Sequence, residues 1–246
     1  MVFLNYYYWG RGLSNLNSTS GMLLIAALAI MVIGLIAQAR VKSTFNKYSK
    51  TQAFCGMTGA AVAENLLDYH GSSVTVKHIS GNLTDNFNSK AGTVNLSDSV
   101  YSSASISAVA VAAHECGHVM QYEEGYTAIR LRNSLLPVAS IGSKFSYILV
   151  IVGIFLGSFG YYVSMVGVAL FAFVFAFQLL TLPVELNASR RALEMLTSEG
   201  YIQEGEEEGA AKKVLRAAAF TYVIAVLASA VTLLRLFAIA SSNRRR

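Results

Sequence analysis

Long uncharged runs alternate with polar segments along this chain. Residues 21–39 are uncharged and mostly apolar, and about 20 such residues suffice for a helix to cross a bilayer. The run lacks the basic start and small-residue cleavage site of a signal peptide, so it is predicted to stay as a membrane-spanning helix. Residues 217–240 form a similar run that contains Arg235. A charge in such a run must reach the interface or find a partner.

The middle of the chain contains a longer apolar stretch. Residues 145–182 contain no charged side chain, and this stretch is too long for one span. The GSFG sequence at 157–160 predicts a turn, so we expect two helices near 140–157 and 161–182. Together with the terminal runs, the pattern predicts a mainly α protein with about four membrane-spanning helices.

A more polar region follows the first run and has its own secondary structure. A helix is predicted over 58–71, with Thr58 as its N-cap and Gly71 as its stop. Two β-branched segments, 73–79 and 92–97, predict a pair of strands, joined by the polar loop SGNLTDNFNSKA at 80–91. The edge of such a pair can hold an extended peptide by main-chain hydrogen bonds. We therefore expect a small α+β unit, similar to a zincin, beside the membrane.

A helix from about residue 99 to residue 123, capped by Ser97 or Asp98, is predicted next. It contains a His-Glu-x-x-His motif formed by His114, Glu115 and His118. Four residues make slightly more than one helical turn, so both imidazoles lie on one face. This spacing allows two histidines to bind one Zn²⁺, with Glu115 beside the metal as a general base. The alternative is two core histidines with a surface glutamate.

A catalytic zinc site needs a third protein ligand and an open position for water. The position that holds a third histidine in the extended form of the motif is Glu124, which excludes that form. His70 and His78 remain possible donors. Glu185 is the best candidate, because a carboxylate next to an apolar span is costly without a partner. Alternatively, Glu185 pairs with Arg190 or Arg191.

Composition and charge agree with a membrane protein. The chain is 54% hydrophobic and 13% charged, with a mean hydropathy of +0.48, whereas soluble domains contain about 25% charged residues. The net charge of +5 comes with no basic stripe interleaved with aromatics, which argues against nucleic-acid binding. Cys55 and Cys116 do not form a disulfide framework, and Cys116, on the helix face opposite the motif, is expected to pack.

The distribution of Lys and Arg predicts an orientation. One basic residue, Arg11, precedes the first run, and a basic cluster follows it from Arg40 to Lys50. The positive-inside rule therefore predicts that residues 40–136 are cytoplasmic. The central helix pair is predicted to cross the membrane twice, so residues 183–216 return to the cytoplasmic side. The basic tail at 243–246 does not fit four crossings, so the side of the C-terminus stays open.

Several segments resemble the YugP-like neutral zinc metallopeptidases of bacterial membranes, and the resemblance covers nearly the whole chain from residue 40 onward. The matching segments are MTGAAVAENLLDYHG, SGNLTDNF, VAAHECGHVMQYEEGY, TLPVELNASRRALEML and AKKVLRAAAFTYV. The resemblance implies a zinc-dependent membrane peptidase with His114 and His118 as metal ligands and Glu115 as the catalytic base. The wider group of membrane gluzincins, which the chain is also similar to, implies Glu185 as the third ligand.

One position departs from that wider pattern. Gluzincins with a Glu-x-x-x-Asp pair would have Asp at position 189, where this chain has Ser189. We therefore expect the group that orients a ligand histidine to come from elsewhere, with Asn187 as a candidate.

These patterns divide the chain into five segments. They are an N-terminal segment with the first transmembrane helix at 1–39, a cytoplasmic catalytic region at 40–136, a transmembrane helix pair at 137–182, a cytoplasmic helical region with the third zinc ligand at 183–216, and a hydrophobic helix with a basic tail at 217–246.

The sequence thus predicts a membrane-embedded endopeptidase whose active site lies at the cytoplasmic membrane surface, in the cell membrane of a bacterium. Zinc would activate a water, Glu115 would take its proton, and peptides or membrane-protein segments would be the substrates. A non-catalytic, zinc-stabilised membrane scaffold is the main alternative. A His-rich iron oxidase is disfavoured by the presence of only four histidines.

Overall fold

A computed structural model of the protein describes residues 19–243. Arg11 and the last three arginines of the basic tail lie outside the described residues. The elements, in chain order, are α1 (Thr19–Tyr48), α2 (Gly59–Tyr69), β1 (Thr75–Ile79), β2 (Asn86–Asn88), β3 (Thr93–Ser97), α3 (Asp98–Tyr101), α4 (Ile106–Glu123), α5 (Thr127–Phe155), α6 (Gly157–Ser198) and α7 (Glu206–Asn243).

Four of these helices, α1, α5, α6 and α7, are long and apolar enough to cross a membrane, which confirms a mainly helical chain with four candidate spans. The central pair divides one position before the predicted GSFG turn, at Leu156. Gly157 begins α6 with a φ of +56°, a left-handed conformation that glycine adopts without a steric penalty. Helix α6 also continues well beyond the predicted end at residue 182, because a polar helical segment follows the apolar one without a break.

The chain forms two compact units. One comprises Ile36–Asn133 and Thr181–Tyr222, and the other comprises, among the described residues, 19–35, 134–180 and 223–243. In the latter, α5 and α6 approach closely where a Cβ on Gly167 would lie 2.7 Å from the Ser146 carbonyl oxygen. Large apolar side chains such as Phe155 are exposed there, as expected of a surface that faces lipid rather than water.

A three-stranded sheet lies in the first of these units, in the order β1-β3-β2. Strand β1 pairs in parallel with β3, which confirms the predicted pairing, and Val76 lies opposite Val94. The segment between them was predicted to be a loop, but it contains β2, which runs antiparallel to β3. The asparagine-rich sequence of β2 gave no strand signal, and its pairing depends on the β3 edge that tertiary contacts present to it.

The predicted helix 99–123 is two helices. Helix α3 ends at Tyr101, and α4 begins at Ile106 after Ser105, whose hydroxyl accepts a hydrogen bond from the Ala108 amide at 3.3 Å. A serine oxygen that satisfies a free amide of the first turn is a strong start signal. The prediction joined the two helices because it assigned the cap to Ser97 or Asp98 and not to Ser105.

Helix α2 confirms the predicted capping at both ends. The Thr58 hydroxyl accepts a hydrogen bond from the Ala61 amide at 3.2 Å, and Gly71 follows the helix with a φ of +69°. Buried side chains of α2 such as Leu66 pack in the same core as those of α4.

We expect Thr58→Ala to lower the free energy of unfolding by about 1 kcal/mol, because the Ala61 amide loses its side-chain acceptor. Thr58→Ser keeps the acceptor and serves as the control. Thermal unfolding of the two variants in detergent measures the difference. Equal stabilities of the alanine and serine variants would contradict a stabilising role for this cap.

Candidate metal and active site

Three side chains predicted as ligands converge at one point. One atom each from His114, His118 and Glu185 lie within 4.8 Å of one another. Glu185 Oε2 lies 3.3 Å from His114 Nε2 and 3.6 Å from His118 Nε2. Glu185 and His118 are buried, and His114 is partly exposed. The structure therefore brings together two imidazole nitrogens and one carboxylate oxygen from distant parts of the sequence.

Two helices position these atoms. The two histidines lie one turn apart on α4, and Glu185 lies on α6. The helices approach closely at Gly117, where an added Cβ would lie only 2.7 Å from the Ala188 carbonyl oxygen. Glycine at this position thus permits a helix separation that a larger residue would not, and this separation sets the distance between the histidines and Glu185.

The other ring nitrogens of the histidines have their own partners. Ser189 Oγ lies 3.3 Å from His114 Nδ1, and Gln121 Oε1 lies 3.0 Å from His118 Nδ1. The Gln121 amide donates to the Val184 carbonyl and to Asn187 Oδ1, each at 2.8 Å. With partners at Nδ1, both histidines direct Nε2 towards Glu185. Histidines that bind metals in proteins commonly have such a partner at the ring nitrogen that does not bind the metal.

This arrangement alters the expectation about Asn187. Ser189 itself contacts His114, although a hydroxyl replaces the carboxylate of the gluzincin pattern. Asn187 acts one step further out, through Gln121 on His118. No local sequence pattern indicates this relay, because Gln121 and Asn187 lie on different helices.

The donor set fits zinc. Two neutral imidazoles and one carboxylate form a common set of three protein ligands for catalytic Zn²⁺. A tetrahedral ion with ligand bonds of about 2.0–2.1 Å separates its ligand atoms by about 3.4 Å, close to the two distances measured to Glu185 Oε2. Glu185 Oε1 faces the Arg132 guanidinium at 3.0 Å, which leaves Oε2 as the carboxylate oxygen directed at the two histidines.

Glu115 lies beside these groups in a cavity of about 200 Å³. It is 7% exposed, and burial raises the pKa of its carboxyl to about 7, with the nearby Glu185 carboxylate adding to the rise and His114 opposing it. The Phe87 backbone of β2 also opposes the rise in the pKa of Glu115. A buried carboxylate with a pKa near neutrality is suited to exchange protons at physiological pH.

Glu185 has a cationic partner, but it is not one of the arginines considered from the sequence. Arg132 Nη2 lies 3.0 Å from Glu185 Oε1. Arg190 instead pairs with Glu194, and Arg191 pairs with Glu124. The alternative in which Glu185 is an interfacial carboxylate paired with Arg190 or Arg191 is therefore wrong.

The remaining sequence candidates lie elsewhere. His70 Nε2 is 3.0 Å from Glu199, and His78 Nε2 is 2.7 Å from Asp98. Neither histidine belongs to the cluster formed by the predicted ligands. Cys116 is fully buried and contacts the Ala63 carbonyl at 3.7 Å, consistent with the predicted packing role, and burial raises the pKa of its thiol.

Sequence reasoning missed three residues of the site. Arg132 lies near the start of an apolar helix, Tyr222 lies within the last apolar run, and Gln121 follows the His-Glu-x-x-His motif. Tyr222 lines the same cavity as His114 and Glu115. A polar side chain in or beside an apolar run is costly without a partner. This argument selected Glu185 from the sequence, and it applies equally to Arg132 and Tyr222.

We expect Gly117→Ala to weaken metal binding and lower the midpoint of thermal unfolding. The added methyl group meets backbone atoms of Ala188, which cannot rotate away, so α4 and α6 must separate. Gly209→Ala is the control, because a Cβ at this helical position has no atom within 4 Å. Metal content per chain and thermal unfolding in detergent measure both effects. A Gly117→Ala protein with wild-type metal content would contradict the proposed spacing role.

We expect Gln121→Met to lower metal affinity by roughly 10- to 100-fold, the usual effect of losing a group that orients a ligand histidine. Methionine preserves the volume of the side chain but removes its contacts with His118 and Asn187. Gln203→Met, on the exposed surface, is the control. Competition with a chelator of known affinity measures the change, and an unaltered affinity in the Gln121 variant would show that His118 is oriented by other contacts.

Comparisons with known proteins identify the family of this chain. Residues 23–241 match the model of the family described as "Putative neutral zinc metallopeptidase". The chain is 44% identical over 225 residues to a protein of Bacillus subtilis (strain 168) named "Putative membrane protease YugP", which covers 90% of this chain and 99% of that relative. No solved structure matches the chain.

The family implies zinc, in agreement with the donor set formed by the two histidines and Glu185. Since the match extends over most of the described helices, the resemblance found in the sequence is confirmed. This chain belongs to the neutral zinc metallopeptidase family.

Proposed function

We propose that the protein is a membrane-embedded zinc endopeptidase in which His114, His118 and Glu185 hold the metal and Glu115 is the general base. The observation that carries this proposal is the buried Glu115 carboxylate beside three convergent ligand atoms. A structural zinc site needs no additional carboxylate beside its ligands, whereas hydrolysis needs a base within reach of a water.

The chain's own residues divide the chemistry between them. When bound, zinc supplies a Lewis acid that lowers the pKa of a water and polarises a peptide carbonyl. Glu115 accepts the proton of the attacking water at its carboxylate and later donates it to the leaving amine. The Tyr222 hydroxyl, which lines the cavity, donates a hydrogen bond to the oxyanion that develops on the substrate.

Strand β2 offers a place for the substrate. It pairs with β3 along one edge, and it is an outer strand in the order β1-β3-β2, so its other edge pairs with no strand of the described sheet. An extended peptide can add to such an edge by main-chain hydrogen bonds, which bind many sequences. Unfolded segments of membrane proteins fit this mode because they expose their backbone close to the bilayer.

We also propose that the site is cytoplasmic, and that the five segments predicted from the sequence describe how the chain crosses the bilayer. The support is the excess of Lys and Arg in the segments that contribute the site, from Arg40 to Lys50 and from Arg190 to Arg216, following the positive-inside rule.

We expect Glu115→Gln to abolish peptide hydrolysis and to retain zinc, because an amide cannot accept the proton of water but leaves the ligands in place. Glu185→Gln should lose zinc and activity together. The measurements are zinc per chain and cleavage of a quenched-fluorescent peptide library by detergent-purified protein. Glu124→Gln is the matched control, since this carboxylate lies outside the cavity and pairs with Arg191.

The outcomes separate the alternatives. Wild-type protein that holds one zinc but cleaves no peptide, together with a Glu115→Gln variant of unchanged cellular phenotype, would favour the zinc-stabilised scaffold. Folded wild-type protein that takes up no supplied zinc would overturn both. Zinc retained by Glu185→Gln would show that the third ligand is another residue.

A further inference from the structure

A basic groove lies behind one wall of the active-site cavity. Its volume is about 460 Å³, and it lies between the C-terminal part of α1 and the start of α7. Arg40 and Lys47 project into it from α1, and Lys213 and Arg216 project into it from α7. On each helix these residues are separated by three or seven positions, so they share one face.

These four cations lack carboxylate partners. Within residues 19–243, no Asp or Glu oxygen lies within ion-pair distance of any of them, whereas Arg132, Arg190 and Arg191 each pair with a glutamate. Lys47 lies over the ring of the neighbouring Tyr48 at 5.3 Å. Four converging positive charges repel one another, so the groove gains stability from an anion that neutralises them.

The groove coincides with the end of two apolar segments. In α1, Arg40 is the first charge after the uncharged run at 21–39, and in α7, Arg216 is the last charge before residue 235. Phe220, at the groove's apolar end, is 47% exposed. Basic side chains that meet exposed apolar surface are typical of sites at the depth of phospholipid headgroups.

The same two helices also form the wall of the active site. Val41 and Phe45 of α1, with Val214 and Ala218 of α7, line the cavity that contains Glu115. The groove residues lie on the adjacent faces of these helices. A ligand that joins α1 to α7 in the groove therefore also fixes the wall of the cavity.

We propose that this groove binds the phosphate of an anionic phospholipid, and that the bound lipid holds α1 and α7 together as a wall of the active site. Arginine recognises phosphate oxygens through two parallel hydrogen bonds, and one arginine lies on each helix. The acyl chains extend along the exposed apolar surface beside Phe220. The binding site stands on its own, whereas an effect on peptide hydrolysis rests on the function proposed above.

The test uses full-length protein in mild detergent, titrated with short-chain phosphatidylglycerol and, separately, with phosphatidylcholine of the same chain length. Native mass spectrometry counts bound lipid. We expect saturable binding of phosphatidylglycerol at one site and at least tenfold weaker binding of phosphatidylcholine. Inorganic phosphate is a third probe, and it should bind much more weakly because it has no chains to occupy the apolar surface.

A pair of double variants makes the test specific. Lys47→Gln with Lys213→Gln removes one groove cation from each helix. Lys42→Gln with Lys212→Gln removes the same charge from the same helices outside the groove. At about 1 kcal/mol per lysine near a headgroup, the groove variant should bind phosphatidylglycerol about 10- to 30-fold more weakly, and the control should remain within about threefold of wild type because exposed charges at a distance are screened.

Equal losses in the two variants would overturn the site, because they would reflect net charge alone. Equal affinities for the two lipids, or an affinity for inorganic phosphate that matches phosphatidylglycerol, would overturn the assignment to an anionic lipid. Zinc content verifies folding of each variant. Should the groove variant fail to fold, the salt dependence of phosphatidylglycerol binding by the wild-type protein tests the assignment instead. Recognition of a charged headgroup must weaken as salt rises, and binding that is independent of salt would overturn it.

Binding and hydrolysis are read separately. Phosphatidylglycerol that binds a protein without peptidase activity supports the lipid site and overturns the proposed function. Where both hold, we expect added phosphatidylglycerol to raise cleavage by wild type and by the control variant, and to have little effect on the groove variant.

Discussion

The burial of the Glu185 carboxylate is the constraint on which the site depends. Moving an isolated carboxylate out of water costs several kcal/mol even after relaxation, and Glu185 is 2% exposed. Its surroundings offset this cost with the Arg132 guanidinium on one oxygen and two imidazoles on the other. Zinc held by these ligands would add the largest local positive charge, so the family's metal explains why a carboxylate lies at this depth.

The other contacts of the site follow from the need to bring α4 and α6 together at Glu185. Gly117 removes the side chain that would separate them, and Gln121 joins His118 to the backbone of α6. Gly117 and the Gln121 hydrogen bonds bring α4 and α6 together without bulky apolar side chains at the contact. Apolar packing would not satisfy the polar groups that converge there, whereas a hydrogen-bonded network does. A metal centre needs ligand side chains that are held in place by their surroundings, and these contacts supply that support.

Three of the long apolar helices also contribute residues to the candidate site. Helices α1, α6 and α7 each begin or end in an apolar run and continue without a break into the unit that contains the site. Residues of α1 and α7 line the cavity that contains Glu115 on one face and the basic groove on another. A lipid bound in the groove, as proposed above, would therefore contact the same helices that line this cavity.

Local signals in the chain predict the four apolar helices from run length, the Thr58 and Gly71 ends of α2 from capping chemistry, and the paired histidines from helical spacing. The family followed from ordered segments of the chain. Tertiary structure alone decided the partners of side chains far apart in sequence. Arg132 rather than Arg190 or Arg191 pairs with Glu185, and the β2 strand and the groove arise only when separate segments meet. Local patterns encode backbone conformation, whereas burial and charge pairing depend on which surfaces the fold brings into contact.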